Sequence, residues 1–309
     1  MKSTHLPVIM YHYIRKQDSS FPHLKVRTPE EFEVQLQELM RRFTVISWAE
    51  LRDHLISGAA LPGRACLLTF DDGFIDHYTE VYPRLRERGL SGLFFVSARR
   101  ESRSMAPVHT LQLLIGHFGE EEIRKLVMSA LTPDQRKRFD SYYEQCLGEY
   151  PTDRFGELSL RTFRRVINFY MSSEMTPILE GLFRTHIGDP DAFAETFYMS
   201  GEMLREMAQN NMHFGGHGVT HQRLSRIAPD LLTQEIASSA AFLAPLEAKP
   251  WAFSYPYSDY PPTIFRLLEA HDFIAGFLDR NGDIPCNQYE LGRIDTAVFS
   301  QWIETQPTL

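Results

Sequence analysis

The sequence has 309 residues, a formal net charge of -8 at pH 7 and 43% hydrophobic residues. This composition is typical of a globular protein with a large core and excludes a disordered chain. The acidic balance offers no basic surface to a nucleic acid, so we expect no such partner. The three cysteines, Cys66, Cys146 and Cys286, show neither a disulfide framework nor the spacing of a thiolate zinc site, which indicates a reducing compartment.

The amino-terminal region contains a single short apolar stretch, residues 6–10. This stretch is shorter than the core of a signal peptide, and no later run approaches the ~20 apolar residues of a membrane span. We therefore expect a cytoplasmic protein with no membrane span.

Short apolar runs alternate with longer helical patterns along most of the chain. A helix is predicted over residues 29–43, with Thr28 as its cap and Pro29 at its first position, and another over 74–88 ends at Gly89. Strands that alternate with helices in this way predict a parallel sheet, either a barrel or a doubly wound sheet. The predicted strands are residues 6–11, 44–47, 66–70, 92–96, 212–215, 251–255, 274–278 and 291–294.

Residues 101–199 interrupt this alternation with an almost wholly helical pattern. We interpret them as a helical insertion within one domain that spans residues 1–309. An apolar face of the insertion is expected either to pack on the rest of the domain or to join copies into a homo-oligomer. The apolar positions are Leu111, Leu114, Ile115 and Phe118 on one face and Ile178, Leu182 and Phe183 on another.

Two adjacent carboxylates, Asp71 and Asp72, follow a predicted buried strand and precede a glycine. An ordinary turn with a helix cap would explain Asp-Asp-Gly equally well. The carboxyl ends of parallel strands are, however, where active sites of such folds are built. Because successive side chains diverge along a strand, one aspartate could bind a cation while the other faces a substrate.

A second candidate follows the strand predicted at 212–215, where His217 and His221 stand four residues apart. Two histidines at this interval share one face of a helical turn, and imidazole is a common ligand of zinc-like metals. Two imidazoles and one aspartate would leave coordination positions open for water and substrate, as a catalytic metal requires. The remaining aspartate could then accept the proton of the attacking water.

The aromatic stretch 250–262 contains the strand predicted at 251–255, which ends at a proline. Most of its residues are expected to pack in the core or to form a proline-rich loop. Tyr255 and Tyr257 could instead stack on a sugar ring, because their rings combine apolar faces with a polar tip.

At these positions the sequence resembles the polysaccharide deacetylases of carbohydrate esterase family 4. The family motif Thr-Phe-Asp-Asp-Gly stands intact at residues 69–73, and His-(Ser/Thr)-x-x-His appears at 217–221 with Gly218 in place of the hydroxyl residue. The resemblance covers residues 6–100 and 200–295. It implies a distorted (β/α) barrel and metal-dependent hydrolysis of an acyl group on a sugar.

The resemblance also implies roles for individual residues. Asp71 would be the general base, and Asp72, His217 and His221 would hold a divalent metal, usually zinc. The third motif, Arg-Pro-Pro-Tyr, corresponds to residues 254–257, where the main-chain N–H of Tyr257 would stabilise an oxyanion.

The sequence departs from the family at two points. Ser254 stands where the third motif has its arginine, and Arg293 is a candidate to replace that arginine from another strand. We also assign Arg293 to the substrate-binding wall, together with Tyr255 and Pro256. The late Leu-x-His motif and the Asp-Trp pair have no counterpart, so His109 or His12 is the candidate acid, unless both histidines are merely packed or exposed.

These features predict a metal-dependent deacetylase that removes an N-acetyl or other N-acyl group from a sugar. An expected cytoplasmic location favours a sugar nucleotide, a lipid-linked glycan or a small aminosugar as the substrate, in the biosynthesis of lipopolysaccharide or another surface glycan. Two alternatives remain: a catalytically silent carbohydrate-binding or assembly protein with the same fold, and a sugar deformylase that uses the same residues.

Overall fold

The computed structural model describes residues 6–99, 104–150, 158–280 and 287–307. The chain divides into two compact units. The barrel unit comprises Met1–Lys16, Val26–Ser102 and Thr196–Leu309, and the helical unit comprises Gln17–Lys25 and Arg103–Glu195. The short segment that precedes the first helix is thus grouped with the helical unit, which the sequence did not indicate. That the whole chain forms one catalytic domain stays a prediction.

The barrel unit is built on one parallel sheet, and every predicted strand is confirmed to within two residues at its ends. The strands are β1 (Val8–Tyr11), β2 (Thr44–Ile46), β3 (Ala65–Asp71), β4 (Leu93–Val96), β5 (His213–Gly216), β6 (Trp251–Ser254), β7 (Phe273–Leu278), β8 (Leu291–Gly292) and β9 (Ile294–Asp295). Their order is β8-β7-β6-β5-β4-β3-β1-β9, and β2 also pairs with β3.

The two ends of this order are almost contiguous in sequence. β8 pairs with β7 and β9 pairs with β1, and Arg293 alone separates β8 from β9. The strand predicted at 291–294 is therefore one strand interrupted at Arg293, which passes from one edge of the sheet to the other. This passage nearly closes the sheet and confirms the distorted (β/α) barrel implied by the resemblance.

Helices connect these strands and form most of the helical unit. The first begins as predicted, with Thr28 and Glu31 forming a reciprocal capping box and Pro29 at the first position. The helices are α1 (Pro29–Arg42), α2 (Trp48–Ser57), α3 (Tyr82–Glu87), α4 (Pro107–Phe118), α5 (Glu120–Ala130), α6 (Pro133–Glu149), α7 (Leu158–Arg165), α8 (Ser172–His186), α9 (Pro190–Phe197), α10 (Gly201–Gln209), α11 (Pro229–Leu243), α12 (Ile264–Ala270) and α13 (Phe299–Glu304).

The helix predicted over 74–88 is observed over residues 75–87, with one irregularity. A π-helical turn, His77–Val81, interrupts it, and the longer α-helical part begins after this turn at Tyr82. Because Pro83 has no N–H to donate to a carbonyl four residues earlier, a regular α-helical ladder cannot continue through this point. Gly89 ends the segment with φ +64°, as predicted.

The helical unit packs around apolar side chains of α4, α5 and α8. Leu111, Leu114 and Ile115 of α4 are buried as predicted, whereas Phe118 is half-buried. On α8, however, the buried stripe is Met175, Leu179 and Phe183, whereas Ile178 and Leu182 are half-buried. Residues spaced four apart along α8 therefore face its core, and the predicted stripe was displaced around the helix.

Within the residues that the structure describes, no helix combines the length and the apolar character that crossing a membrane would require.

Candidate metal centre

Polar side chains converge at the carboxyl ends of β3, β5 and β6. Asp71 is the last residue of β3, and Asp72 follows it. His217 follows β5, and Ser254 is the last residue of β6. Since β3, β4, β5 and β6 are consecutive parallel neighbours, their carboxyl ends lie along the same rim of the barrel.

The two aspartates are separated by a change in backbone conformation, because a left-handed turn begins at Asp72. Asp72 has φ +76° and Gly73 has φ +68°, so the chain leaves the extended conformation immediately after Asp71. A Cβ atom at Gly73 would lie 2.9 Å from Cγ1 of Val96, which explains the glycine. Strand geometry predicted that the side chains of Asp71 and Asp72 diverge. In the structure they diverge because the chain turns at Asp72.

Asp72 meets both histidines. Its Oδ1 lies 3.4 Å from Nε2 of His217 and 3.2 Å from Nε2 of His221. One ligand atom from each of the three residues falls within 4.8 Å of the others. Burial would lower the pKa of His217, but the negative charges of the adjacent Asp72 and Asp71 raise it. The three side chains predicted as metal ligands are thus brought together.

The hydrogen bonding of His217 suits it to a metal. Its Nδ1 lies 2.8 Å from the main-chain oxygen of Ser254. Since a carbonyl oxygen only accepts, Nδ1 carries the proton, and the lone pair of the neutral ring is on Nε2, the atom that faces Asp72. Two imidazole nitrogens and one carboxylate form the donor set of a catalytic zinc site, so the residues present fit such a metal.

The histidines do not share a helical turn, which corrects the expectation from their spacing. Residues 217–223 form a loop, in which Gly218 has φ +70° and His221 has φ +55°. Underneath this loop the carboxylate of Glu235, from α11, accepts main-chain N–H groups of Val219 and Thr220. Glu235 was not predicted from the sequence, although a carboxylate between Leu232 and Ile236 on the apolar face of a helix is a signal of a buried polar contact.

Asp71 is paired with Arg293. Nη1 of Arg293 donates to Oδ1 of Asp71 at 2.6 Å, and Nη2 donates to Oδ2 at 2.7 Å. Nη2 also donates to the hydroxyl of Ser254 at 2.9 Å. Burial opposes ionisation of Asp71, but the Arg293 guanidinium, and after it His217, hold the pKa of the carboxyl below its usual value.

Arg293 therefore lies against Asp71, and Ser254, which stands in the position of the motif arginine, contributes a hydroxyl to the same network. The guanidinium is buried. Its contacts favour the alternative in which it replaces the motif arginine over a place in the substrate-binding wall.

The aromatic stretch after β6 divides into core and rim. Tyr255 is 2% exposed, its hydroxyl donates to the main-chain oxygen of Tyr289 at 3.0 Å, and its ring packs on Tyr260. Pro256 is buried as well. The ring of Tyr257 instead stands perpendicular to that of His221, with centroids 5.0 Å apart. Of the two tyrosines expected to stack on a sugar, Tyr257 is thus the one beside the cluster of Asp72, His217 and His221.

The two candidate acids lie in different units. His12 follows β1, which pairs with β3 so that Tyr11 is opposite Phe70, and its side chain is exposed. The main-chain oxygen of His12 accepts a hydrogen bond of 2.9 Å from Nε2 of His77. Burial lowers the pKa of His77 to about 4, which keeps its ring neutral. His109 is a buried residue of α4 in the helical unit, and its role stays a prediction.

A family model described as polysaccharide deacetylase matches residues 184–275, a range that contains both histidines of the cluster. Among curated proteins, the putative polysaccharide deacetylase YxkH of Bacillus subtilis (strain 168) is 25% identical over 187 residues. This match spans 52% of the chain and 61% of that relative, which is less than two thirds of its length.

The fold is similar to that of two solved structures. The Streptococcus pyogenes deacetylase PplD in complex with acetate superposes with a TM-score of 0.60 at 17% identity, over 99% of this chain and 100% of that one. IcaB from Ammonifex degensii superposes with a TM-score of 0.56 at 19% identity, over 97% of this chain and 96% of that one. At these identities the likeness concerns the fold. Together with the family model, it confirms the resemblance to polysaccharide deacetylases.

Proposed function

We propose that the protein is a metal-dependent hydrolase that removes an N-acetyl or other N-acyl group from a sugar. The observation that carries this proposal is the convergence of Asp72, His217 and His221 beside a second carboxylate, Asp71, that has a separate partner. The resemblance to polysaccharide deacetylases supports the choice of an acylated sugar as substrate.

Asp72, His217 and His221 would hold the cation, for which we propose Zn²⁺. When bound, a divalent cation at these residues supplies a Lewis acid that polarises the acyl carbonyl and activates water. The hydrogen bond from His217 to Ser254 fixes the ring so that Nε2 faces the site.

We assign the general base to Asp71. Its two hydrogen bonds from Arg293 favour the ionised carboxylate at neutral pH, and only that form can take the proton of the attacking water. The same bonds fix the orientation of the carboxylate, so it requires little rearrangement during the reaction.

We assign the oxyanion donor to the main-chain N–H of Tyr257, whose residue borders His221. For the acid we favour His12 over His109, because His12 follows a strand paired with β3, which ends at Asp71. In this scheme water attacks the acyl carbon, Asp71 takes its proton, the C–N bond breaks and the His12 imidazolium gives its proton to the departing amine.

We further propose a short substrate such as a sugar nucleotide or a lipid-linked glycan precursor, used in the cytoplasm for surface-glycan synthesis. The alternatives predict different products: a deformylase releases formate, and a silent carbohydrate-binding protein releases no acid.

The test is acid release by Zn²⁺-loaded protein from N-acetylated and N-formylated sugar nucleotides and short N-acetylglucosamine oligomers. We expect acetate, and we expect Asp71→Asn to lower its rate by about 10²- to 10⁴-fold while the protein keeps its zinc. Asp134→Asn, on the exposed surface of α6, is the matched control and should keep the full rate. Equal rates for wild type and Asp71→Asn would contradict the assigned base, and the absence of any released acid would favour the binding protein.

A further inference from the structure

We propose that Glu235 is a positioning residue that sets the shape of the metal-ligand loop 217–221, and that Gly218 is glycine because this carboxylate lies beneath it. The inference deepens the proposed function and rests on its assignment of His217 and His221 as metal ligands. Among the described residues, the carboxylate of Glu235 bonds to neither histidine side chain. It therefore acts on the two ligands through the main chain between them.

The position of Glu235 is unusual for a carboxylate. It lies on α11 with 1% of its surface exposed. Within the described part of the chain, no lysine or arginine lies within ion-pair distance of it. A buried carboxylate without a cation is costly unless hydrogen-bond donors surround it. The loop supplies those donors, which indicates that Glu235 and the loop form one structural unit.

The loop donates two consecutive main-chain N–H groups to this carboxylate. The N–H of Val219 lies 2.5 Å from Oε2, and the N–H of Thr220 lies 3.1 Å from Oε1 and 3.2 Å from Oε2. Hydrogen bonds to an ionised acceptor are stronger than those between neutral groups. Both donors lie between the two ligands, and Thr220 directly precedes His221, so moving them would move its imidazole.

The opposite, carbonyl side of the loop is fixed from β4. The main-chain oxygen of Gly218 accepts from the N–H of Ala98 at 2.9 Å and from the hydroxyl of Ser97 at 3.1 Å. These contacts hold the first half of the loop against the sheet. The Ser97 hydroxyl also lies 3.3 Å from the main-chain oxygen of Val219, whereas Glu235, on the helix side, accepts the N–H groups of Val219 and Thr220.

Gly218 is the residue that this arrangement requires. A Cβ atom at 218 would lie 2.7 Å from Oε2 of Glu235, closer than such atoms approach. The φ of +70° adds a second reason, because side chains disfavour that conformation. The departure from the family's His-(Ser/Thr)-x-x-His motif is therefore explained, since a hydroxyl residue at 218 and the carboxylate of Glu235 would occupy the same space.

The first test compares Glu235→Gln with Glu247→Gln. Glu247 is a matched control because its carboxylate also accepts a main-chain N–H, that of Phe214, and contacts His213, both at the far end of β5. Glutamine keeps the shape of the glutamate side chain but replaces one accepting oxygen with an NH₂ group, which cannot accept the N–H groups of the loop. We expect both variants to lower the melting temperature of the metal-free protein, and only Glu235→Gln to weaken Zn²⁺ binding, by about 10- to 100-fold.

Zinc affinity is measured by competition with a chromophoric chelator, and the visible absorption of bound Co²⁺ reports ligand geometry directly. We expect Glu235→Gln to change the Co²⁺ spectrum and Glu247→Gln to leave it as in wild type. Unchanged zinc affinity and an unchanged Co²⁺ spectrum in folded Glu235→Gln would overturn the inference. If wild type itself bound neither Zn²⁺ nor Co²⁺, the proposed metal centre would be contradicted. This outcome is distinguishable from unchanged metal binding in Glu235→Gln, which contradicts only the role of Glu235.

The second test is a double-mutant cycle between Gly218→Ala and Glu235→Ala. The backbone strain of alanine at 218 is present in both backgrounds and cancels, whereas the contact with Oε2 exists only when Glu235 is present. We expect Gly218→Ala to weaken Zn²⁺ binding less in the Glu235→Ala background than in wild type. Additive losses would show that the two residues are not coupled and would contradict the explanation of Gly218.

Discussion

Each unit contains an ion pair between an arginine and a carboxylate, but the pair is buried in the barrel unit and partly exposed in the helical unit. In the barrel unit, Arg293 holds Asp71 through two hydrogen bonds, and the side chains are 2% and 3% exposed. In the helical unit, Arg138 holds Glu174 through two hydrogen bonds, and the side chains are 46% and 32% exposed. Water screens the second pair but not the first, so similar geometry has different energetic consequences.

This difference extends to the other charged groups. Among the described residues, the buried aspartate, glutamate and arginine side chains all lie in the barrel unit: Asp71, Asp72, Asp76, Glu235 and Arg293. The helical unit buries mainly apolar groups such as Ile123 and Phe183. Buried charge is thus concentrated around the proposed centre, where it fixes the orientation of reacting groups, whereas the helical unit depends on apolar packing.

The largest expected effect is that of Arg293→Met. Removing the arginine leaves Asp71 as an uncompensated buried charge, and loss of one partner of a buried pair costs about 3–5 kcal/mol of the free energy of unfolding. Urea denaturation at neutral pH measures this loss in the free energy of unfolding. Adding Asp71→Asn to this variant should recover part of the loss, and a loss below about 1 kcal/mol would show that the pair is not protected from water.

A smaller effect is expected for Ile123→Val, which removes one buried methylene from α5. Such a change costs about 0.5–1.5 kcal/mol, because the lost apolar contact leaves a small cavity. The loss should be independent of salt concentration in urea denaturation. A strong dependence on salt would contradict the view that this unit is held by apolar packing.

A still smaller effect on the free energy of unfolding is expected for Asp259→Asn, and it depends on pH. Burial raises the pKa of Asp259, but the hydroxyl and N–H of Ser225 and the charge of Arg223 lower it further, so the net shift is downward. A lowered pKa stabilises the fold above the ordinary carboxyl pKa of about 4, and this contribution is lost as the pH falls through the lower folded value. Asp259→Asn should therefore be less stable than wild type at pH 7, and the difference should shrink below pH 4. A constant difference between pH 7 and pH 3 would contradict the shift.

The smallest effect is expected for Arg138→Met, the counterpart of Arg293→Met. Because its pair with Glu174 is exposed, the urea midpoint should stay within error of wild type in both low and high salt. A clear loss at low salt would remove the contrast between the two units.

Local patterns in the sequence predicted most of the site. The strand before Asp71 is an apolar run that ends at Asp-Asp-Gly, and the strand before His217 is a short run that ends at Gly216; parallel strands place such carboxyl ends on one rim. Order and spacing along the chain were therefore sufficient to predict that one of the two aspartates meets the two histidines, and the family resemblance implied that it is Asp72.

Residues that act across the fold were harder to predict. Glu235 reaches the ligand loop from a helix 14 or more residues further along the chain, so no local pattern links them. The function of Arg293 was only suspected, because it depends on the interruption between β8 and β9, which the apolar pattern of residues 291–294 does not reveal. Spacing alone also predicted a helical turn for His217 and His221, where left-handed residues form a loop instead.

The interrupted last strand affects the order in which the protein can mature during synthesis. A ribosome makes every other strand of the barrel, both aspartates and both histidines before it reaches Arg293. Until then the sheet lacks its connecting strand, and Asp71 has no counter-charge. A nascent chain that already carries the complete set of metal ligands is consequently expected to stay without a working centre until residues 291–295 have left the exit tunnel.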